Sequence, residues 1–196
     1  MEIKNAKFVT SAATESQFIR PDKPMIAVCG KSNSGKSTLI NLLANRKGLA
    51  KTSAAPGRTR LVNYFDFGGF LLADLPGYGF AAVSKGEKEK WAKTLDCFFA
   101  RKEEISHAFV LTDIRRDPSD DDLQMLSFLN YHIVPFTVIA TKSDKLSRMK
   151  RKERVRKIAQ CFGLGEGNVI AVSGLSGEGK EDLLKKISDI INRGEV

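Results

Sequence analysis

Gly30, Lys31, Ser32, Asn33, Ser34, Gly35, Lys36 and Ser37 fit the spacing G-x-x-x-x-G-K-[ST]. Phosphate chemistry needs that spacing. The glycines let backbone N–H groups turn inward around an anion, and a helix starting at the end of the loop adds the positive end of its dipole. Lys36 then reaches the β- and γ-phosphates as a point charge, Ser37 offers a hydroxyl to Mg²⁺, and Thr38 follows in the same first turn. A second run, Gly174 to Glu181, repeats the glycine and lysine spacing but ends in Glu181. A carboxylate there repels phosphate and cannot replace the hydroxyl, so this run reads as an ordinary loop and helix start.

Three downstream groups decide which nucleotide the loop serves. Asp74, Leu75, Pro76 and Gly77 place a carboxylate where it holds Mg²⁺ through a water, and an N–H that senses a γ-phosphate. Thr141, Lys142, Ser143 and Asp144 supply a carboxylate that accepts from the N1–H and 2-amino group of guanine. Adenine lacks that donor pair, so the group discriminates the base. Val172, Ser173 and Gly174 close the set with backbone N–H groups for the guanine O6. Between these lies a basic segment ending in Pro56, Gly57, Arg58, Thr59 and Arg60. Its Thr59, with Thr52 as the rival, is the expected threonine that completes Mg²⁺ coordination when the γ-phosphate is present.

Positioning these groups requires alternating strands and helices. Apolar runs at 25–29, 61–67, 70–74, 108–112, 135–140 and 168–172 read as strands. Gly68 and Gly69 give a two-residue hairpin signal. Helical patterns cover 85–101, 119–131, 150–161 and 179–193, besides the helix after the phosphate loop. The expected fold class is α/β: a doubly wound P-loop G domain with a mostly parallel six-stranded sheet and one antiparallel edge strand. Residues 1–20 read as a loose N-terminal arm and 21–196 as one domain.

Composition narrows the class further. With 42% hydrophobic and 28% charged residues among 196, the chain is neither disordered nor fibrous. It has no apolar run long enough to span a membrane and no signal-peptide block. Cys29, Cys97 and Cys161 are unpaired in pattern, as expected for cytoplasmic free thiols. The formal charge of +9 points to a polyanionic partner. It is concentrated in 46–60, with five basic residues and no acid, and in 145–157, with eight basic residues against Glu153. The second segment is expected to contact RNA backbone.

Together the motifs resemble the EngB/YihA/YsxC-type bacterial ribosome-biogenesis GTPases. The residues carrying the resemblance are Gly30 to Ser37, Pro56 to Thr59, Asp74 to Phe80 (D-L-P-G-Y-G-F), Lys88 to Trp91, Asp120 to Met125 and Thr141 to Asp144. The resemblance implies a monomeric cytoplasmic protein that binds GTP and GDP with Mg²⁺, associates with the large ribosomal subunit or its precursor, and hydrolyses GTP slowly. Lys36, Thr59 and Asn33 are the implied catalytic residues. Related hydrolases use an asparagine at the position of Asn33 to help hold a K⁺ ion, so K⁺ stimulation is expected here. Two departures from the general GTPase pattern stand out. Thr141 replaces the usual asparagine, which would weaken anchoring of its loop. Tyr78 replaces the glutamine that orients water in many signalling GTPases, so it is not expected to do that work.

The remaining chemistry-bearing residues read as structural. His107 and His132 lack an acid or nucleophile at useful spacing, and Trp91, Leu95, Phe98 and Phe99 form a core stripe. Arg115 and Arg116 read as a solvated loop. Two other functions stay open on the sequence: an RNA-binding chaperone for which nucleotide is a structural ligand, and an ATP-dependent kinase, which would lack the guanine-reading Asp144.

Overall fold

In a computed structural model of the chain, residues 3–51, 61–79 and 85–192 are described. They form seven strands: β1 (Lys7–Ala12), β2 (Met25–Gly30), β3 (Val62–Asp66), β4 (Leu71–Asp74), β5 (His107–Asp113), β6 (Phe136–Thr141) and β7 (Val169–Val172). Five helices accompany them: α1 (Lys36–Leu43), α2 (Lys85–Ala100), α3 (Asp120–Tyr131), α4 (Arg148–Cys161) and α5 (Lys180–Asn192).

The strands make one sheet in the order β1-β3-β4-β2-β5-β6-β7. All neighbours are parallel except β1 with β3 and β3 with β4. Seven strands therefore replace the expected six, and the strand that runs against the rest, β3, is second from the edge. The difference comes from the N-terminal arm. Lys7–Ala12 pairs with β3 across a register running from Lys7 opposite Asp66 to Ala12 opposite Val62, interrupted by a bulge at Val9. Lys23 donates to Asp66 at 2.9 Å and further ties the arm's end to this edge.

Alternation along the central strands buries both faces. Ile26, Val28, Phe109 and Leu111 pack against Leu39, Ile40 and Leu43 of α1 and Leu183, Ile187 and Ile190 of α5. Ala27, Cys29, Ala108 and Val110 face Leu95, Phe98 and Phe99 of α2 and Met125, Leu126 and Leu129 of α3. The expected aromatic stripe is core, as is Ile158 of α4. His107 is buried and shares a 2.9 Å hydrogen bond with Thr137. At full burial, near 25 cal/mol per Å² of apolar area, each large side chain contributes about 1.5–3 kcal/mol, so two covered faces fix the strand register.

That register sets the site. Asp74 lies opposite Val28, Gly30 opposite Leu111, Asp113 opposite Thr141, and Thr141 opposite Val172. The carboxyl ends of β2, β4, β5, β6 and β7 thus form one rim, where ligands of open α/β sheets bind. Among the described residues, no helix is long and apolar enough to cross a membrane.

Candidate active site

The phosphate loop leaves β2 at Gly30 and tightens through a hydrogen bond from the Ser34 N–H to the Lys31 carbonyl, 3.0 Å. Gly35 then starts α1 with φ of 102°, a conformation glycine takes without strain. This helix start has no side-chain cap and no acid in its first turn. Its N–H groups and dipole end are therefore available to an anion. α3, by contrast, carries Asp120, Asp121 and Asp122 in its first turn and a Ser119–Asp122 capping box.

Lys36 curls over the loop and donates to the Gly30 carbonyl at 2.9 Å and towards that of Lys31 at 3.5 Å. Burial lowers its pKa, and the nearby Asp74 carboxylate works in the opposite direction. Burial also pushes Asp74 up to about 6, even with Lys36 beside it and a hydrogen bond from Asn63. Its Oδ1 is buried and without a partner. An orphaned carboxylate oxygen near a phosphate loop, together with the Ser37 hydroxyl, is a hard oxygen donor set that suits Mg²⁺. Ser37 Oγ here donates to the Lys51 carbonyl at 3.2 Å. No group of three or more His, Cys, Asp or Glu side chains among the described residues could hold a metal. An ion bound here would draw other ligands from phosphate and water, besides Thr59, which lies outside the described residues.

The segment after Asp74 packs directly on the loop. Leu75 is buried and its N–H donates to the Val28 carbonyl at 3.0 Å. A Cβ on Gly77 would stand 2.9 Å from Ser32 Oγ and 3.0 Å from Lys36 Nζ, so a side chain there would crowd the phosphate loop. Tyr78 pairs with Lys31 as a single parallel bridge, and its carbonyl accepts the Ser32 N–H at 3.0 Å. The Tyr78 ring is buried, and its hydroxyl donates to Asp122 at 2.9 Å. The sequence-based expectation that Tyr78 does not orient water agrees with this geometry. Trp91 adds a hydrogen bond from Nε1 to the Pro76 carbonyl, 3.1 Å.

At the other end of the rim, the Thr141 hydroxyl lies 2.6 Å from the Ser34 carbonyl and 3.0 Å from the Thr112 carbonyl, either of which can accept its proton. A single hydroxyl thus ties the loop after β6 to the phosphate loop, so the threonine that stands in place of asparagine provides an anchor. Lys142 takes a left-handed backbone conformation (φ 62°) and donates to the Asn33 carbonyl at 2.9 Å and to Asp113 at 3.0 Å. Hydrogen bonds from Arg115 and Lys142 outweigh burial and hold the Asp113 carboxyl well below the usual range. Arg115 is thereby a partner of Asp113. Ser143 is buried.

Asp144 accepts from the Ser173 hydroxyl at 2.7 Å and pairs with Lys145 at 3.1 Å, which together keep it ionised at neutral pH. Here the sequence reading needs correcting in part. The Ser173 N–H, expected near the guanine O6, donates instead to the Glu178 carbonyl at 2.9 Å. Ser173 instead reaches Asp144 by its side chain, which orients the carboxylate. Val172 is buried at the strand end. Gly174 faces Thr38, whose Cγ2 occupies the space that a Cβ at 174 would need. The second glycine run closes on itself: the N–H groups of Leu175 and Ser176 point to Ser173 Oγ, and that of Gly177 to the Ser173 carbonyl. It is an ordinary turn.

Pro56, Gly57, Arg58, Thr59 and the rival Thr52 lie outside the described residues. The basic segment at 145–157 is partly neutralised. Arg151 pairs with Glu178, Arg154 and Lys157 with Asp117, and Arg156 with Glu166. Arg148, Lys150 and Lys152 are exposed and have no carboxylate partner among the described residues. Sequence reasoning missed the Tyr78–Asp122 bond, although S-x-x-D at 119–122 is a legible capping signal.

Residues 25–142 match the family described as "50S ribosome-binding GTPase". A probable GTP-binding protein EngB of Caldanaerobacter subterraneus subsp. tengcongensis is 40% identical over 194 residues, covering 98% of this chain and all of the relative. Its counterpart from Prosthecochloris aestuarii is 43% identical over 190 residues, covering 96% of this chain and 98% of the relative. The crystal structure of a probable GTP-binding protein engB superposes with a TM-score of 0.71 at 24% identity, covering 86% of this chain and 99% of that one. A single-residue variant of Aquifex aeolicus Era bound to GDP·AlF4⁻ shares the fold with a TM-score of 0.67 at 21% identity, over 85% of this chain and 56% of that one.

Proposed function

Because the chain belongs to the EngB family of GTP-binding proteins, a family of GTPases, we propose that it is a nucleotide-controlled assembly factor for the large ribosomal subunit. Its hydrolysis of GTP is slow and stimulated by K⁺. The observation that carries the switch is the packing of residues 75–78. Gly77 sits against Ser32 and Lys36, while its neighbours are bonded to α2 and α3. A γ-phosphate that engages the Gly77 N–H therefore acts on a segment already connected to the protein surface. The family description, with its 50S ribosome, points to the large subunit as the partner.

In the reaction, water attacks the γ-phosphorus and the β–γ bridging oxygen leaves with GDP. Lys36 exchanges its loop carbonyls for β/γ-phosphate oxygens, and the loop N–H groups share the developing charge. Ser37 would hold Mg²⁺ directly and Asp74 through a water, and the ion would supply charge neutralisation on those oxygens; Thr59 is the further ligand read from the sequence. No described side chain is placed as a general base, since the Tyr78 hydroxyl is committed to Asp122. That arrangement accounts for slow turnover.

Asn33 is exposed at the crest of the loop with φ of 63°, and its carboxamide makes no hydrogen bond among the described residues. It is free to coordinate a K⁺ ion beside the phosphates. Hydrolysis measured at equal ionic strength in K⁺ and in Na⁺ tests this point. Faster turnover in K⁺, lost in Asn33→Ala, is expected; identical rates in the two salts contradict it. The RNA-chaperone alternative requires nucleotide to leave ribosomal affinity unchanged.

A further inference from the structure

Tyr78 and Asp122 are 44 residues apart, both buried, and joined by a hydrogen bond that ties the segment after Asp74 to α3. Asp122 occupies the third position of α3. Its Oδ2 accepts from the Ser119 N–H at 2.9 Å and from the Ser119 hydroxyl at 2.7 Å, while Oδ1 accepts from Tyr78 at 2.9 Å. The same helix start grips the phosphate loop. Lys31 Nζ donates to Ser119 Oγ at 3.0 Å and pairs with Asp121 at 3.2 Å. Between these contacts runs Gly79, where a Cβ would collide with Lys31 Cε, so the chain passes directly beneath the lysine.

The backbone at 76–78 is thus held from three sides. The phosphate loop bonds it through Ser32 N–H and Tyr78 O, α2 through Trp91 Nε1 and Pro76 O, and α3 through Asp122 and the Tyr78 hydroxyl. The Tyr78 ring also packs against Trp91, with centroids 5.9 Å apart. Gly77 lies in the middle of this grip. A glycine has the broadest backbone freedom of any residue, so aiming its N–H requires constraint from its neighbours. Tyr78 supplies that constraint, because rotating the peptide at 77 would pull its ring out of the core or break its bond to a buried carboxylate.

We propose that Tyr78, Asp122 and Ser119 are positioning residues for GTP: they fix the Gly77 N–H against the phosphate loop and so set the affinity for the triphosphate relative to the diphosphate. The proposal rests on the reading of Gly77 as the γ-phosphate sensor. GDP has no γ-phosphate, so loosening this network weakens the triphosphate complex and leaves the diphosphate complex nearly unchanged. A purely structural bond lowers thermal stability instead and moves neither affinity relative to the other.

The test uses the full chain with Mg²⁺ and measures affinities for fluorescent GDP and a fluorescent non-hydrolysable GTP analogue. Tyr78→Phe is expected to weaken the analogue about tenfold, the scale of one lost hydrogen bond to a charged acceptor, with GDP unchanged within about twofold. Ser119→Ala is expected to act in the same direction and Ser119→Thr, which keeps the hydroxyl, to restore the analogue's affinity. This pair also carries the test if Tyr78→Phe does not fold. Equal loss for both nucleotides, or loss for neither, overturns the proposal. Gly77→Ala separates the two levels, read as the ratio of analogue to GDP affinity because its Cβ also crowds Ser32 and Lys36. If it lowers that ratio while Tyr78→Phe and Ser119→Ala do not, the network has no positioning role. If it leaves the ratio unchanged, the Gly77 reading falls, and the proposal with it.

Discussion

Replacing Asp74 by asparagine should stabilise the nucleotide-free protein while damaging its Mg²⁺-dependent binding. Burial raises the Asp74 pKa from 3.8 to about 6 in the folded chain, which corresponds to about 3 kcal/mol against the ionised native state above pH 6. The attraction of Lys36 is already contained in that shift, so losing it adds no further cost. An asparagine amide pays some desolvation of its own, leaving an expected gain of about 1–2 kcal/mol at pH 7.5. The sign follows from proton counting. Between 3.8 and 6 the folded state binds more protons than the unfolded state, so the aspartate protein loses stability as pH rises through this window. The advantage of Asp74→Asn should therefore be full above pH 6 and fade as pH falls towards 4. Urea unfolding of nucleotide-free protein at pH 7.5 and pH 4.5 reads it, as a shift in midpoint at constant slope. A variant that is less stable at pH 7.5, or whose advantage grows on acidification, would refute this account of Asp74. In the same preparation, the Mg²⁺ dependence of GTP-analogue affinity should be reduced.

Three other perturbations address the base end and the surface. Asp144→Asn should lower GDP affinity at least about a hundredfold and raise affinity for xanthosine diphosphate, because an amide cannot accept two guanine donors but can serve xanthine's altered edge; competition binding with the two nucleotides checks it. Ser173→Ala removes the hydroxyl that orients Asp144 at 2.7 Å and should weaken GDP by about five- to thirtyfold, or 1–2 kcal/mol, without changing base preference; the same competition assay reads both. Replacing Arg148, Lys150 and Lys152 together by glutamine should reduce the salt dependence of binding to ribosomal particles, whereas replacing the ion-paired Arg154 should chiefly reduce thermal stability.

The parts legible in the sequence are those encoded locally. The phosphate loop, the D-x-x-G segment and the T-K-S-D loop each lie within a few residues. Parallel strands of apolar residues necessarily bring their carboxyl ends to one rim. What was not legible depends on contacts between distant segments. The arm at Lys7–Ala12 has too little apolar character to declare itself a strand, and it becomes one by pairing with β3, which lies far along the chain. The basic run at 145–157 suggested an open electropositive face, but Asp117, Glu166 and Glu178, all outside that run, pair with Arg151, Arg154, Arg156 and Lys157, half of its basic residues. Tyr78 follows Gly77, and only the three-dimensional packing of α3 shows why an aromatic residue with a hydroxyl suits that position. For Ser173 the sequence pointed to the backbone N–H, whereas the contact to Asp144 is made by the side chain, 29 residues away along the chain.

The central claim is that nucleotide state controls association with the large ribosomal subunit. Co-sedimentation of the protein with free large-subunit particles, with Mg²⁺ and K⁺ held fixed, tests it most directly when done with GDP and with a non-hydrolysable GTP analogue. The account predicts that the analogue-bound protein pellets with the particles and the GDP-bound protein stays in the supernatant. Equal pelleting in the two states would contradict it.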